Sequence, residues 1–130
     1  MVDHTTVALV AMRKNHEDGR FYAGVELLKG DEIYRVMSLV IERPSENQAV
    51  YFLCTEIARN VDDSTEVLKL LGNPPEFRHN VHRIKRRIGV HAPHLGVSII
   101  RIRNLHGRNK HLQSLIDDAY RRGESLIADV

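Results

Sequence analysis

Cysteine is almost absent from this sequence, since Cys54 is the only one among 130 residues. A single cysteine excludes an internal disulfide and is typical of a reducing, intracellular compartment, cytoplasmic or nuclear. Long apolar runs are missing too: none approaches the roughly 20 residues of a membrane-spanning helix, and residues 1–4 do not begin a secretory signal. No P-loop and no dinucleotide fingerprint occurs, which excludes those two nucleotide-binding classes. We therefore expect an intracellular protein without membrane contact.

Aromatic residues are also scarce, at 5% of the chain, whereas 42% of the residues are hydrophobic and 28% are charged. The apolar and charged fractions are ordinary for a soluble globular protein. A chain of this length can bury a core without help from metals or disulfides. We expect a single domain over residues 1–130.

Apolar segments alternate with turn residues in the order strand, strand, strand, helix, strand, helix, strand, helix. The predicted strands cover residues 5–12, 21–28, 33–41, 65–71 and 97–103, and the predicted helices cover residues 44–60, 76–88 and 109–127. Gly123 is an alternative end for the last helix, because glycine inside a helix costs about 1 kcal/mol relative to alanine. Short turns join the first three strands into an antiparallel meander. A helix between the third and fourth strands allows those two to run parallel, which predicts an α/β fold with a five-stranded mixed sheet.

The central helix has the clearest boundary signal. Ser45 followed by Gln48 is a capping box, in which each side chain satisfies a backbone donor of the other residue. Pro44 disfavours extension of the helix backwards. Apolar residues then recur at helical spacing, namely Ala49, Val50, Leu53, Ile57 and Val61. Within this helix Cys54 is interpreted as a small buried residue rather than a nucleophile.

Basic residues are concentrated between positions 76 and 110. This segment holds nine Lys or Arg, one Asp or Glu, and five of the eight histidines, although the whole chain has a net charge of only +2. Such asymmetry indicates an anionic partner for one face. The predicted nucleic-acid-binding residues are Arg78, Arg83, Lys85, Arg86, Arg87, Arg101, Arg103, Arg108 and Lys110.

Lysine and arginine on such a face would neutralise phosphates, with an affinity that falls with salt. Few aromatic residues lie among them, so stacking on single-stranded bases is not predicted. In the fifth strand, the alternation from Ile100 to Arg103 predicts one apolar core face and one positive, solvated face. The alternative is a solvated helix face balanced by the acidic N-terminal half or by an acidic protein partner.

Two His-x-x-His pairs also fall in this segment, His79 with His82 and His91 with His94. A zinc site needs three or four ligands, and no cysteine or carboxylate stands at a suitable spacing near either pair. Both pairs are therefore interpreted as surface histidines.

The element order resembles the ribonuclease H fold, and short stretches support the resemblance over almost the whole chain. Residues 47–50, Asn-Gln-Ala-Val, are similar to the Asn-x-Ala-Glu pattern that opens the family's central helix. Gly24 stands in a stretch that resembles the family's second strand, which often carries a glycine. His106 and Gly107 follow the fifth strand as the family's Gly-His loop does, and Asp117 follows in the last helix, where the family carries a catalytic aspartate.

The resemblance implies a site in which about four carboxylates hold two divalent metals, and this sequence departs from that site. An acid is expected near Ala11 or Met12, at Val50 and near Leu71, and none stands there. The remaining catalytic candidates are Asp117, or Asp118 with a one-residue shift, and His106. Magnesium needs hard oxygen ligands, so no metal site and no cofactor is predicted.

We therefore predict a non-catalytic ribonuclease H-like binding or scaffold module. It would contact RNA, DNA or a hybrid through its basic face, within a larger nucleoprotein or retroelement-type assembly, and a protein partner or self-association is expected. One alternative is an active nuclease that uses magnesium or manganese and displaced carboxylates, for which Glu46, one turn before Val50, is a candidate. The other alternative is a protein-interaction or dimerisation domain that does not bind nucleic acid.

Overall fold

The computed structural model describes residues 4–105 and 107–130 of the chain. In chain order its elements are β1 (Thr5–Lys14), β2 (Phe21–Lys29), β3 (Glu32–Ile41), α1 (Glu46–Asn60), β4 (Val67–Gly72), α2 (Glu76–His79), α3 (Val81–His91), β5 (Gly96–Arg101), α4 (Asn109–Arg122) and β6 (Leu126–Asp129). The strands form one sheet in the order β5-β4-β1-β2-β3-β6. No helix in the described part of the chain is long and apolar enough to cross a membrane.

The first three strands form the predicted antiparallel meander, and the crossover through α1 places β4 parallel to β1. In β1, the side chains of Thr6, Ala8, Val10 and Met12 are buried, whereas the residues between them are only half-buried. The buried set packs with residues of α1 and α3 in the main core, and the alternate residues Leu9 and Ala11 pack against the cluster formed by α4. The sheet therefore separates two helical layers.

The Ser45 half of the predicted capping box at the start of α1 is confirmed. Ser45 adopts an extended backbone conformation, and its hydroxyl oxygen accepts a hydrogen bond from the backbone N–H of Gln48 at 3.2 Å. Behind this cap, Ala49, Val50, Leu53 and Ile57 are buried in the core, as the helical spacing predicts. Cys54 is buried in the same layer, and burial raises the pKa of its thiol, so the residue is a packing residue, as expected.

Gly24 explains how α4 approaches the opposite face of the sheet. A Cβ atom on this residue would lie 2.4 Å from the backbone oxygen of Leu112 and 2.9 Å from the Cβ of Leu115. Both atoms belong to α4, which buries its apolar side, Leu112, Leu115, Ile116 and Ala119, against the sheet. The glycine that the second strand carries is therefore required by the close contact between β2 and α4.

The last helix ends before Gly123, the alternative end given by the sequence, and not at residue 127. The helix ends at Arg122, because Gly123 takes a left-handed conformation (φ +74°) and its N–H donates to the oxygen of Ala119. Leu126 and Ile127, predicted to be helical, instead belong to β6, which pairs antiparallel with β3. The sheet therefore has a sixth strand in addition to the five predicted.

The predicted helix over residues 76–88 is interrupted. Asn80 has a non-helical backbone (φ −125°, ψ 30°), so α2 ends before it and α3 begins after it and continues to His91. Phe77, Ile84 and Ile88 are nevertheless fully buried, so both short helices turn their apolar residues to the core. The strand predicted over residues 65–71 is observed two residues later at its start, and that predicted over 97–103 is shorter at its end.

One edge of the sheet collects the ends of several elements, and we call it the carboxyl edge. The parallel strands β1, β4 and β5 all end there, and because β3 runs in the same direction it ends there too. Consequently α1, α2 and α4, which follow β3, β4 and β5, begin at this edge. Crevices outside the carboxyl ends of parallel strands are common ligand sites in open α/β sheets.

Candidate functional site

A cavity of about 170 Å³ opens at the carboxyl edge, between the middle of β1, the end of β4 and the start of α4. We call it the carboxyl-edge cavity. Its polar lining consists of amides and one guanidinium, and the complete set of lining residues is Val10, Ala11, Asn73, Arg103, Leu105, Asn109 and Gln113.

Asn73 is fixed at the floor of this cavity by β1. Its side-chain oxygen accepts from the backbone N–H of Met12 at 3.1 Å, and its backbone N–H donates to the backbone oxygen of Val10 at 3.3 Å. The adjacent Gly72 makes this approach feasible, because a Cβ there would lie 2.3 Å from the oxygen of Val10. The side chain of Asn73 therefore continues the pairing of β1 past the end of β4.

The wall of the cavity comes from the first turns of α4 and the loop before it. The side-chain oxygen of Asn109 accepts from the N–H of Leu105 at 3.3 Å, and its Nδ2 donates to Asn104 Oδ1 at 3.2 Å. Gln113 Nε2 donates to Asp117 Oδ1 at 2.8 Å. The side chain of Asn109 is thus held by another amide and by a backbone group, and that of Gln113 by the carboxylate of Asp117.

The four positions at which the sequence resemblance expects carboxylates do not all lie at one site in the structure. Ala11 lines the cavity, Leu71 packs beside it, and Val50 is completely buried in the main core. Asp117 is exposed one turn beyond Gln113 and lines a different cavity, near the end of β1. His106, the other catalytic candidate, lies outside the described residues.

The residues around the carboxyl-edge cavity do not fit a pair of divalent metals. Two divalent cations need negatively charged carboxylates to balance their charge, whereas the lining of this cavity consists of neutral amides, apolar side chains and the cation Arg103. Within residues 4–105 and 107–130, no group of three or more His, Cys, Asp or Glu side chains is arranged to hold a metal ion. No chemical step through such a metal can be derived from this donor set.

Two displaced carboxyl groups do meet at the carboxyl edge, at the starts of α1 and α2. Burial raises the pKa of Glu76 to about 7, and the hydrogen bond and negative charge of Glu46 act in the same direction, while Arg101 opposes them. One oxygen of Glu76 is buried without a hydrogen-bond partner. A raised pKa favours the protonated carboxyl, which is a poorer metal ligand than a carboxylate. The sequence did not indicate this pair, although Glu46 had been a candidate for a displaced acid.

The predicted basic residues fall into two groups. Arg83, Lys85 and Arg86 project from the exposed side of α3, and within the described chain none of them has an ion-pair partner. The guanidinium carbon of Arg87 lies 4.9 Å from the ring centroid of Tyr51, on α1. The second group lies at or near the carboxyl edge and comprises Arg78, Arg101, Arg103, Arg108 and Lys110.

Two arginines of the second group bind other groups of the protein. Arg101 Nε donates to the backbone oxygen of Asn73 at 3.2 Å. Arg108 lies 3.6 Å from the carboxylate of Glu26.

The alternation predicted for the fifth strand is confirmed at Ile102, which packs against the cluster formed by α4, and at Arg103, which is exposed. It is wrong at Ile100, which is 53% exposed, whereas Ile99 packs on the main core, on the same side of the sheet as Arg101.

Glu26 is a buried acid that the sequence did not single out. It lies in β2 with no exposed surface, and His111 Nδ1 donates to its Oε2 at 2.5 Å. Together with Arg108, His111 connects the first turns of α4 to the sheet. An acidic residue inside an otherwise apolar strand was the available signal, since buried acids are rare unless paired.

The histidine pairs are exposed, in agreement with their interpretation as surface residues. His79, His82, His91 and His94 are all solvent-exposed. One of them has a defined partner, because Arg59 Nη2 lies 3.2 Å from His91 Nδ1.

No protein-family model and no curated protein sequence matches the chain. Solved structures do match. The ribonuclease H1 of the halophilic archaeon Halobacterium salinarum superposes with a TM-score of 0.67 at 17% identity, over 91% of this chain and 98% of that one. LC11-RNase H1, isolated from compost and solved with an RNA/DNA hybrid, gives 0.63 at 13% identity, over 91% and 98%. LC9-RNase H1, a type 1 enzyme with a type 2 active-site motif, gives 0.69 at 10% identity, over 100% and 79%.

Proposed function

We propose that this chain, which has the ribonuclease H-like fold, is a nucleic-acid-binding module that does not cleave what it binds. The observation that carries the proposal is the lining of the carboxyl-edge cavity. Asn73, Asn109 and Gln113 supply amides there and Arg103 supplies a positive charge, beside Ala11, one of the positions at which the resemblance expects a metal-binding carboxylate.

The same lining is suited to a phosphate backbone. Amide and guanidinium groups donate hydrogen bonds to phosphate oxygens, and such contacts position a nucleic acid without reading its sequence. Arg103 and Lys110 are exposed at the two sides of the loop that leads into α4. A nucleic-acid strand that binds along the carboxyl edge would contact these two side chains.

The exposed side of α3 would extend the contact. Arg83, Lys85 and Arg86 have no acidic partner in the described chain, so their charges remain available to neutralise phosphates. Each phosphate neutralised on a duplex contributes about 0.9 to the slope of log affinity against log salt. Three to five such contacts would therefore weaken binding by about 10²-fold on raising salt from about 50 to about 200 mM.

An RNA/DNA hybrid is the first ligand to test, because LC11-RNase H1 was solved with one. We infer a role as a binding or scaffold subunit, within an assembly whose other components supply any chemistry. The intracellular, nucleoprotein setting expected from the sequence fits this role.

The test is a titration of a labelled hybrid, duplex DNA and duplex RNA, followed by fluorescence anisotropy at low and high salt, with and without magnesium. We expect salt-sensitive binding without hydrolysis, and a decrease of about tenfold in the double variant Arg83→Ala with Arg86→Ala. The double variant Lys69→Ala with Arg121→Ala removes the same charge from exposed positions outside both basic groups, and should bind nearly as well as the unaltered protein.

Two results would refute the proposal. Absence of binding to all three nucleic acids at low salt would favour the protein-interaction alternative. Hydrolysis of the hybrid with magnesium or manganese, abolished by Asp117→Ala, would show that the displaced acids form a working nuclease.

A further inference from the structure

A groove of about 440 Å³ lies between α1 and α3, and it shares no lining residue with the carboxyl-edge cavity. Its size is within the range of small-molecule sites. Positive and aromatic side chains dominate its lining, namely Arg43, Arg59, Arg87, His91, Tyr51 and Phe52. Neither the predicted nucleic-acid face nor the fold comparison accounts for this combination.

Two of the arginines lie over aromatic rings. The guanidinium carbon of Arg43 lies 4.3 Å from the ring centroid of Phe52, and that of Arg87 lies 4.9 Å from the centroid of Tyr51. A guanidinium that lies over a ring is oriented by it and keeps N–H groups at its edge for hydrogen bonds to an anion. In Arg43, Nη1 already donates to the backbone oxygen of Glu42 at 2.7 Å, which leaves its other N–H groups for a ligand. Neither arginine has a carboxylate partner within the described part of the chain.

The third arginine is neutralised locally. Arg59 Nη1 lies 3.2 Å from Glu56 Oε1, the carboxylate that also lines the groove. Its Nη2 donates to His91 Nδ1 at 3.2 Å. Because Nδ1 accepts this bond, the proton of the neutral ring resides on Nε2, which makes His91 a further donor. The groove thus retains two uncompensated positive charges, on Arg43 and Arg87.

An independent observation indicates a missing partner. The Tyr51 side chain lines the groove, and its hydroxyl is buried without a hydrogen-bond partner. Buried polar groups of native proteins are nearly always paired, so an unpaired one calls for an explanation. The ring is covered by Arg87, an exposed side chain that can move aside.

We propose that this groove binds a phosphate monoester of mononucleotide size. A dianionic phosphate matches two oriented guanidiniums, which form paired hydrogen bonds with its oxygens. The volume exceeds what the phosphate alone needs and accommodates an attached sugar. When Arg87 turns its edge to the phosphate, the Tyr51 hydroxyl gains an acceptor.

The phosphate could belong to a free 5′-nucleotide or to the 5′ end of a nucleic-acid strand. Of the residues predicted to bind nucleic acid, this groove contains only Arg87.

The first experiment is isothermal titration of the full chain with adenosine 5′-monophosphate and, in parallel, with adenosine. We expect the monophosphate to bind at least about tenfold more tightly, because charge-assisted hydrogen bonds carry the recognition. The double variant Arg43→Gln with Arg87→Gln should lose at least about tenfold in affinity. The charge-matched variant Lys69→Gln with Arg121→Gln, altered outside the groove, should bind within about twofold of the unaltered protein.

Equal binding of the nucleoside and the monophosphate, or equal losses in the two double variants, would overturn the proposal. Tyr51→Phe removes only the unpaired hydroxyl, so we expect an unchanged or slightly higher unfolding midpoint together with severalfold weaker monophosphate binding. If the Tyr51→Phe protein is stable and binds the monophosphate with full affinity, the Tyr51 hydroxyl does not contact the phosphate.

The source of the phosphate is decided with short single strands that carry a 5′-phosphate or a 5′-hydroxyl. A preference for the phosphorylated strand that disappears in the Arg43→Gln, Arg87→Gln variant assigns the groove to strand ends. Monophosphate binding without this preference assigns it to free nucleotides, and binding of neither phosphate overturns the proposal. Binding of the 5′-hydroxyl strand is independent of the groove, so the two proposals can fail separately.

Discussion

Substitution of Gly24 by alanine tests the packing that positions α4, and with α4 the wall of the carboxyl-edge cavity. The new Cβ would lie 2.4 Å from Leu112 O and 2.9 Å from Leu115 Cβ, whereas ordinary contact begins at 3.4 Å. The neighbouring atoms belong to a helix backbone, so relief requires α4 to move away from β2 by about 1 Å, at a loss of a quarter to a half of the dispersion energy of the atoms that separate.

The expected cost follows from these distances. Overpacking typically costs about 1–3 kcal/mol, and the rigid backbone partner places this case at the upper end. Alanine recovers about 0.5 kcal/mol because it restricts the unfolded chain. We therefore expect the free energy of unfolding to fall by about 2–3 kcal/mol, which shifts a urea midpoint by about 1–2 M.

Urea denaturation monitored by circular dichroism measures this change, and Gly89→Ala provides the control. Gly89 lies in α3, and a Cβ there would meet nothing within 4 Å. Because alanine favours helix, this second variant should be more stable than the unaltered protein by about 0.5–1 kcal/mol. A loss below about 0.5 kcal/mol for Gly24→Ala, with the predicted gain for Gly89→Ala, would refute the claim that the glycine sets the distance between α4 and the sheet.

Three further predictions concern electrostatics and capping. The pKa of Glu76 is raised to about 7, so between about pH 4.5 and pH 7 the folded state holds a proton that the unfolded state releases, and the free energy of unfolding falls as pH rises through this range. Glu76→Gln should remove about 1–2 kcal/mol of that fall, which thermal melts from pH 4 to pH 8 would measure. His111→Ala leaves the buried Glu26 with only Arg108 and should cost about 2–3 kcal/mol in urea denaturation; a loss within the error would mean that the pair is not stabilising. Ser45→Ala should cost about 1 kcal/mol, and an unchanged midpoint would show that the hydroxyl does not cap α1 in solution.

Local signals in the sequence predicted much of the fold. The capping pair at Ser45 and Gln48 acts within one turn, and the apolar spacing of α1 and α3 is repeated several times, so both could be recognised without knowledge of distant contacts. The meander was equally accessible, since short turns connect apolar strands.

The sixth strand could not be recognised in the same way. Leu126 and Ile127 are compatible with a helix that continues from residue 122, and what makes them a strand is pairing with β3, nearly 90 residues earlier. The break at Asn80 has no proline or glycine to mark it. Tertiary contact overrode local preference at both places.

In the candidate site, too, the sequence predicted the features that have a local signal and missed those that depend on distant contacts. The absence of acids at Ala11, Val50 and Leu71 was visible in the sequence, whereas the meeting of Glu46 with Glu76 depends on two helices beginning at one edge. The division of the basic residues into two groups also depends on the fold, because α3 and the loop before α4 are carried by different parts of the sheet. The α1–α3 groove combines residues from three segments and had no local signature.

The position of β6 has a consequence for assembly. By pairing with β3, this short strand occupies hydrogen-bonding groups that a neighbouring molecule could otherwise use to extend the sheet. An ion pair of 2.7 Å between Arg35 and Asp129 fastens it there. A binding partner that adds a strand beside β3 would first have to displace the protein's own segment, so recruitment on that flank would be a competition rather than a simple addition.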